Sequence, residues 1–289
     1  MRDPKSEAKP TQPLEPGLYV VSTPIGNLRD ITLRALDILS AVDEILAEDT
    51  RVARRLLNAH DIRAKVSPYH DHNGAIRRPD ILNQLADGCS IALISDAGTP
   101  LVSDPGYKLV RDVADAGHKI FPLPGASAML AGLVTSGLPS DQFTFCGFLP
   151  AKSGARRTQA AALSSIPTTL IFYETGPRLA ATLVDLAEVL GPEREAAVAR
   201  ELTKLFEETR RGTLQTLIEY YQSGAAAKGE IVLLIGPPVH TEASQTDIDA
   251  ALTSALENLP VKQAANGVAA RFDIPKREAY QRALQLKDG

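Results

Sequence analysis

The chain is poor in cysteine, in aromatic residues and in long apolar runs. Of its 289 residues two are cysteine, Cys89 and Cys146, and none is tryptophan. Two distant cysteines with no C-x-x-C pairing supply neither a disulfide framework nor a thiolate zinc site, so no metal is expected and a reducing, cytoplasmic setting fits. No window approaches the roughly 18–20 consecutive apolar residues that a membrane-spanning helix needs. The opening segment MRDPKSEAKPTQPLEPG is polar and proline-rich, without the apolar core of a secretory signal, and predicts a flexible leader over 1–16. Basic residues are not in excess: 31 Lys and Arg stand against 35 Asp and Glu, a net charge of −4. Bulk charge therefore cannot coat nucleic acid, and any such site must be a local patch. The glycine fingerprints of dinucleotide-binding and P-loop proteins are both missing. With 44% hydrophobic and 23% charged residues the composition is that of an ordinary globular protein, long enough for about two domains.

From residue 17 the pattern is strand then helix, repeated. Leu18–Ser22 is a short buried strand. Thr32 caps a helix to about Ala41, with Leu33, Leu36 and Leu39 on its apolar side. Strands ending at Ala47 and Ile94, a long Gly/Pro loop Ser95–Gly106, a helix, and a strand Lys119–Leu123 complete a first α/β set over 17–123, for which alternation predicts parallel pairing. A second set over 124–238 begins with a helix of small residues, Ala126–Thr135. It continues with strands Phe143–Phe148, Thr168–Tyr173, Ala196–Glu201, Glu207–Arg211 and Ile231–Ile235, and an amphipathic helix Arg178–Leu190. Gly236-Pro237-Pro238 and a polar linker then lead to a helical module at 246–289. Its first helix carries Ile248, Leu252, Leu256 and Leu259 on one face. Its second follows Val261, Ala264, Ala265, Val268, Ala269 and Phe272. Its third starts at Pro275 and is expected to turn Tyr280, Ala283 and Leu284 inward. The last two helices carry Lys262, Arg271, Lys276, Arg277, Arg282 and Lys287 against Asp273 and Glu278. The outline is that of a basic helix-turn-helix or of a solvated helical cap.

Polar, glycine-containing segments follow several strands, where ligands bind in open α/β sheets. Ser22-Thr23-Pro24-Ile25-Gly26-Asn27-Leu28 follows the first. Ala47-Glu48-Asp49-Thr50-Arg51 ends the second. Asp49 there could take a proton from a hydroxyl and Arg51 could hold a phosphate, unless Asp49 or Thr50 simply caps the helix that follows. Ser95–Gly106 is dense in small residues that allow close backbone approach, and Asp96 or Asp104 could bind ribose hydroxyls or a cationic group. Pro124-Gly125-Ala126-Ser127-Ala128 opens a helix with free N–H groups. Tyr173-Glu174 and Arg200–Lys204 lie at strand ends of the second set. Glu201 and Lys204 could equally be a surface pair. His70-Asp71-His72 reads as polar loop rather than as a metal site.

Read together, TPIGNLRDIT (23–32), AEDTR (47–51), SDAGTPLVSDPG (95–106), PGASA (124–128), FCGFLPAK (145–152), RELTK (200–204) and GEIVLLIG (229–236) resemble the ribosomal small-subunit methyltransferase I group of the tetrapyrrole-methylase-like, class III methyltransferases. The C-terminal KQAANGVAARFDIPKREAYQ resembles the group's terminal module. The resemblance spans about 17–287. It implies two α/β domains with S-adenosylmethionine in the cleft between them, a homodimer, and 2′-O-methylation of a cytidine ribose in the decoding region of 16S rRNA in the small subunit.

By that resemblance Pro24, Asp96, Ala97, Gly98, Thr99, Val102, Ser103, Ser127 and Ala128 should line the cofactor site, with Tyr173 and Leu202 closing it. Asp49 is the first choice for a base, with Glu174 and Lys204 as alternates. Arg29, Arg51, Lys152, Arg156, Arg157, Lys276 and Arg277 are candidates for RNA phosphates. The group's pattern has a small residue and Pro-His-Arg after Tyr-Glu. Here Thr175-Gly176-Pro177-Arg178 lacks the histidine, so a role for that histidine has no counterpart. Three rivals are a methyltransferase of the same fold acting on a small molecule such as a tetrapyrrole, a non-enzymatic nucleic-acid-binding protein, and a nucleotide-dependent oxidoreductase.

Overall fold

The structure, a computed structural model, describes residues 14–223, 229–238, 245–257, 259–272 and 274–288. Most of the expected leader and the linker at 239–244 lie outside them. The residues divide into a compact unit ending at Pro237 and a second from Pro238 onward.

In the first unit, β1 (Gly17–Val21), β2 (Glu44–Ala47), β3 (Val66–Pro68), β4 (Ser90–Ile94) and β5 (Ile120–Leu123) form a five-stranded sheet of order β3-β2-β4-β1-β5. Every pair is parallel, as the alternation predicted. Such a sheet is covered on both faces, and its strands read as continuous apolar runs. The pleat sends alternate side chains to opposite sides. Tyr19, Val21, Ile45, Ala92 and Ile94 pack under α1 (Leu33–Ala41) and α2 (Thr50–Ala59). Leu18, Leu46, Ile91 and Leu93 pack under α3 (Asp71–Ala86) and α4 (Tyr107–Asp115). Thr32 caps α1 by accepting from the Ala35 N–H at 3.1 Å. Leu33, expected on the apolar side of α1, is exposed; Ala35, Ile38 and Leu39 make that face. His70 caps α3, so it marks a helix start rather than a loop.

α5 (Ala128–Ser136) leads into the second sheet, β6 (Phe143–Phe148), β7 (Thr169–Thr175), β8 (Glu195–Arg200), β9 (Glu208–Thr213) and β10 (Glu230–Ile235), in the order β6-β7-β10-β8-β9. It is mixed: β6 and β7 are parallel, and the other pairs are antiparallel. Leu170, Phe172, Val198, Ile231 and Leu233 pack against α6 (Ser153–Leu163), α7 (Gly176–Leu190) and α8 (Leu214–Gln222). The opposite face, with Ile171, Ala197, Ala199, Val232 and Leu234, is covered by α5 and by Ile25 from the loop after β1. No helix among the described residues is long and apolar enough to cross a membrane.

The second unit holds α9 (Gln245–Leu256), α10 (Val261–Phe272) and α11 (Lys276–Asp288) around Ile248, Leu252, Ala265, Val268, Ala269, Ala279 and Ala283. On α11 Ala283 is buried as expected, but its inward partner is Ala279, while Tyr280 and Leu284 are exposed; alanines let neighbouring helices approach closely. Leu259 is likewise exposed. Arg282 grips Asp249 through Nε–Oδ1 at 2.6 Å and Nη2–Oδ2 at 2.5 Å, tying α11 to α9.

Candidate active site

The carboxyl ends of β1, β2 and β4 and the loops of the second sheet enclose a cavity of about 360 Å³. Three segments from the first sheet build one wall. Thr23 and Gly98 pair as an isolated two-residue bridge, with Thr23 N–H donating to Gly98 O at 2.8 Å and Gly98 N–H to Thr23 O at 3.1 Å. The buried hydroxyls there are all satisfied: Thr23 Oγ1 donates to Ser95 O (3.1 Å), Ser95 Oγ to Gly98 O (3.3 Å), and Ser22 Oγ meets Thr99 Oγ1 (3.0 Å). This ties the β1 loop to the 95–106 loop. Gly98 turns with φ +81° and Gly106 with φ +130°, conformations glycine adopts freely. Leu101 (φ +73°) and Ser103 (φ +65°) adopt the left-handed region without being glycine. On the other wall Glu201 (φ +50°) and Thr203 (φ +65°) do the same. Each such residue costs on the order of 1–3 kcal/mol, and such strain concentrates at functional sites. Among the described residues, only Asp61 shares this feature elsewhere.

Asp96, Ala97, Gly98, Thr99, Val102, Ser103, Ser127, Ala128, Tyr173 and Leu202 all line the cavity. Pro24 is buried and does not line the cavity; its neighbour Ile25 does. Ser127 caps α5, accepting from Leu130 N–H at 3.5 Å. Tyr173 sits edge-on to Phe145 and Phe148 (centroids 4.9 and 5.6 Å apart), a small aromatic floor.

The electrostatics are one-sided. Glu48, Asp96, Asp104 and Glu230 line the cavity, and Lys204 is the only basic side chain among the lining residues, held by Glu201 Oε1 at 3.1 Å. Asp104 is the residue most affected. Burial pushes its carboxyl up to about 6, Ser95 pulls it down, and the charges of Glu48, Asp96 and Glu230 raise it further. The segment sequence suggested Asp104 only as one of two possible ligand groups. Its perturbation comes first from burial and then from carboxylates that follow β2 and begin β10, which no local pattern reveals.

The other chemical candidates fall differently. Asp49 lies outside the cavity lining and caps α2. It accepts from Arg51 N–H at 2.8 Å and pairs with the Arg51 guanidinium at 2.6 Å, which holds its carboxyl down at about 2. In this arrangement the capping alternative describes Asp49. Glu174 is buried at the cavity wall. Oε1 accepts from Thr175 N–H (2.8 Å) and pairs with Arg178 (3.1 Å), while Oε2 accepts from Thr182 (2.8 Å), so it also fixes the start of α7. Lys204 lines the cavity as well.

Of the basic candidates, Arg156 is corrected outright. It is 4% exposed and spent on Asp185 at 2.5 Å, so it cannot meet a phosphate. Arg157 is exposed but divided between Asp185 and Glu188. Arg29, Lys152, Lys276 and Arg277 are exposed, and Arg51 is exposed beyond its pairing with Asp49. Among the described residues no group of three or more His, Cys, Asp or Glu side chains is arranged to hold a metal ion. The side chains of Asp71, His72 and Arg271 lie outside the description.

Two α/β lobes with a carboxylate-lined cavity at their strand ends define a class. The family model of tetrapyrrole (corrin/porphyrin) methylases matches residues 17–218, and that of the RsmI C-terminal HTH domain matches 242–287. Solved structures agree in fold: diphthine synthase superposes with a TM-score of 0.60 at 14% identity, covering 76% of this chain and 89% of its own. Uroporphyrin-III C-methyltransferase from Thermus thermophilus, complexed with S-adenosylhomocysteine, gives 0.55 at 17%, covering 76% and 97%. Ribosomal RNA small subunit methyltransferase I of Mesorhizobium japonicum is 51% identical over 96% of this chain and 95% of its own length. That of Escherichia coli O157:H7 is 44% identical over 93% and 94%. The chain belongs to the ribosomal RNA small subunit methyltransferase I family, within the tetrapyrrole methylases.

Proposed function

We propose that this protein transfers a methyl group from S-adenosylmethionine to the 2′-hydroxyl of a cytidine ribose in the decoding region of 16S rRNA. It would work in the cytoplasm as a homodimer on the small ribosomal subunit or its RNA. The observation that carries the cofactor is the surplus of carboxylates around the cavity. A cationic ligand offsets charges that otherwise raise one another, and a cavity of about 360 Å³ falls in the range of cofactor sites. The substrate rests on the relatives' names. Exposed Leu130 and Val134 on α5 offer an apolar surface for a second copy.

The cofactor supplies an electrophilic methyl on a positively charged sulfur and needs no metal. This chain's residues then do three things. The small residues Ala97, Gly98 and Ala128 let backbone approach the ligand, and the loops exclude water. The paired walls hold acceptor and donor in one orientation, a large share of the rate in a two-substrate transfer. Asp104 would take the hydroxyl proton as the O–CH₃ bond forms and the S–CH₃ bond breaks, the sulfur leaving as the neutral thioether of S-adenosylhomocysteine. Its carboxyl at about 6 is ionised yet basic enough near neutrality, whereas Asp49 at about 2 is not.

The test is tritiated-methyl transfer to small subunits lacking the modification, followed by mapping of the label. Label on a decoding-region ribose oxygen is expected. Bound cofactor with no label in the RNA would refute the substrate and point to a small-molecule acceptor such as a tetrapyrrole.

A further inference from the structure

The cavity accounts for a small cationic ligand, but its acidic rim repels a polyanion, so a macromolecular phosphate chain needs a separate hold. α2 has the required character. Its buried residues, Ala53, Leu56 and Leu57, face the first sheet. Arg51, Arg54, Arg55 and Asn58 are exposed and recur at i, i+3, i+4 and i+7, so they form one stripe along the other side. The helix contains no acidic residue, in a chain whose net charge is −4. Arg51 is engaged with Asp49, whereas among the described residues neither Arg54 nor Arg55 has an acidic partner.

Both ends of this stripe are fastened to cavity walls. At the N-terminus, Glu48 lines the cavity and Asp49 N–H donates to Asp96 Oδ1 at 3.1 Å. Just past the C-terminus, the His60 ring Nε2 donates to Leu28 O at 3.3 Å, beside exposed Arg29. Leu28 belongs to the same loop as Asn27, whose N–H donates to Thr203 Oγ1 at 3.1 Å in the opposite wall.

We propose that the exposed stripe of α2, with Arg54 and Arg55 at its centre, is a phosphate track that delivers RNA to the cavity. This rests on the reading of the chain as an RNA methyltransferase. Guanidinium forks match phosphate oxygens bidentately, and the track positions the strand without reading its bases. It binds by releasing counterions, so its signature is salt dependence.

The experiment measures binding of full-length protein to a short fluorescein-labelled single-stranded RNA by anisotropy across a salt series. The Arg54→Gln/Arg55→Gln variant is compared with a charge-matched Arg63→Gln/Lys119→Gln variant. Arg63 and Lys119 precede β3 and β5, at the amino end of the parallel sheet, away from the cavity. Losing two phosphate contacts should lower the slope of log K against log salt by about 1.4, so the wild-type advantage shrinks about sevenfold between about 50 and 200 mM. Calorimetric affinity for S-adenosylmethionine should stay the same, and the control variant should keep the wild-type slope. An unchanged slope in Arg54→Gln/Arg55→Gln, or an equal loss in the control, would overturn the track while leaving the methyltransferase reading intact. A wild-type protein that binds no RNA would overturn the track, whereas the methyltransferase reading falls only if small subunits take up no label. Equal binding to anionic phospholipid vesicles, lost in the same variant, would reassign the stripe to a membrane surface and also overturn it.

Discussion

Replacing Asp104 with asparagine separates the folding cost of the acidic cavity from its use. Asp104 titrates near 6 in the folded chain against an ordinary 3.8. A raised folded value means the native state holds the proton more tightly than the unfolded chain does. The associated stability is fully present below about pH 4 and is lost as pH rises through about 6. A shift of that size amounts to about 3 kcal/mol at full strength, and about 1–2 kcal/mol once solvent screening of a half-buried carboxyl is allowed for. Asp104→Asn keeps the shape and removes the charge. At pH 8 the variant should therefore melt about 2–8 °C above the wild type, given about 2–4 °C per kcal/mol for a unit of this size. At pH 4 the two should melt together. In the same variant S-adenosylmethionine should bind more weakly at pH 8, and methyl transfer should fall by about 10²–10⁴. Scanning calorimetry at the two pH values and titration with the cofactor read these out. An equal shift at both pH values, or a lower melting point at pH 8, would refute the assignment of burial and neighbouring carboxylates as the cause.

Three more outcomes follow from the geometry. Gly26→Ala places a Cβ 2.6 Å from Lys204 Cγ and 3.0 Å from Leu202 O, so the opposite wall must move; cofactor affinity measured by calorimetry should fall several-fold while the helical content stays unchanged. Arg156→Ala leaves buried Asp185 with Arg157 and Ser153 alone, and urea denaturation should show a loss of about 3–5 kcal/mol. Asp49→Asn preserves an N-cap side chain, so methyl transfer in single-turnover assays should stay within a few-fold of wild type, and a loss of about 10² or more would restore Asp49 as the base.

Much of this arrangement is readable in the chain because polar, glycine-containing segments directly follow apolar strands. That juxtaposition marks the 22–28 and 95–106 loops as ligand-side segments, whereas only the family resemblance implies that the 200–204 turn joins them in one site. The first sheet's parallel pairing follows from its alternation with helices. In the second sheet β8, β9 and β10 pair antiparallel, because long-range partner choice decides direction and local periodicity does not. β3 is three residues ending in proline, and α3 contains Gly74 and Pro79, so neither stands out as a regular element. α6 and α8 do not stand out in the sequence either, since short amphipathic stretches between strands carry weak boundary signals. The roles of charged residues were the least legible. Asp49, Asp104 and Glu174 look alike as letters, and Arg156 looks like any other surface arginine; capping, burial, distant carboxylates and the pairing with Asp185 set them apart.

The apolar seam between the two sheets is thin. From the β1 side of the cavity only Ile25 joins the fully buried cluster that covers the inner face of the second sheet, whereas each sheet has extensive cores of its own. Cooperativity between the lobes therefore depends little on grease and much on whatever occupies the space between them. A ligand touching both walls acts as mortar, and its binding energy is added to the coupling of the two halves. Met1–Pro237 is one compact unit, and a ligand spanning both walls should raise its melting temperature by mass action. The cofactor is in this sense part of the architecture as well as a reagent.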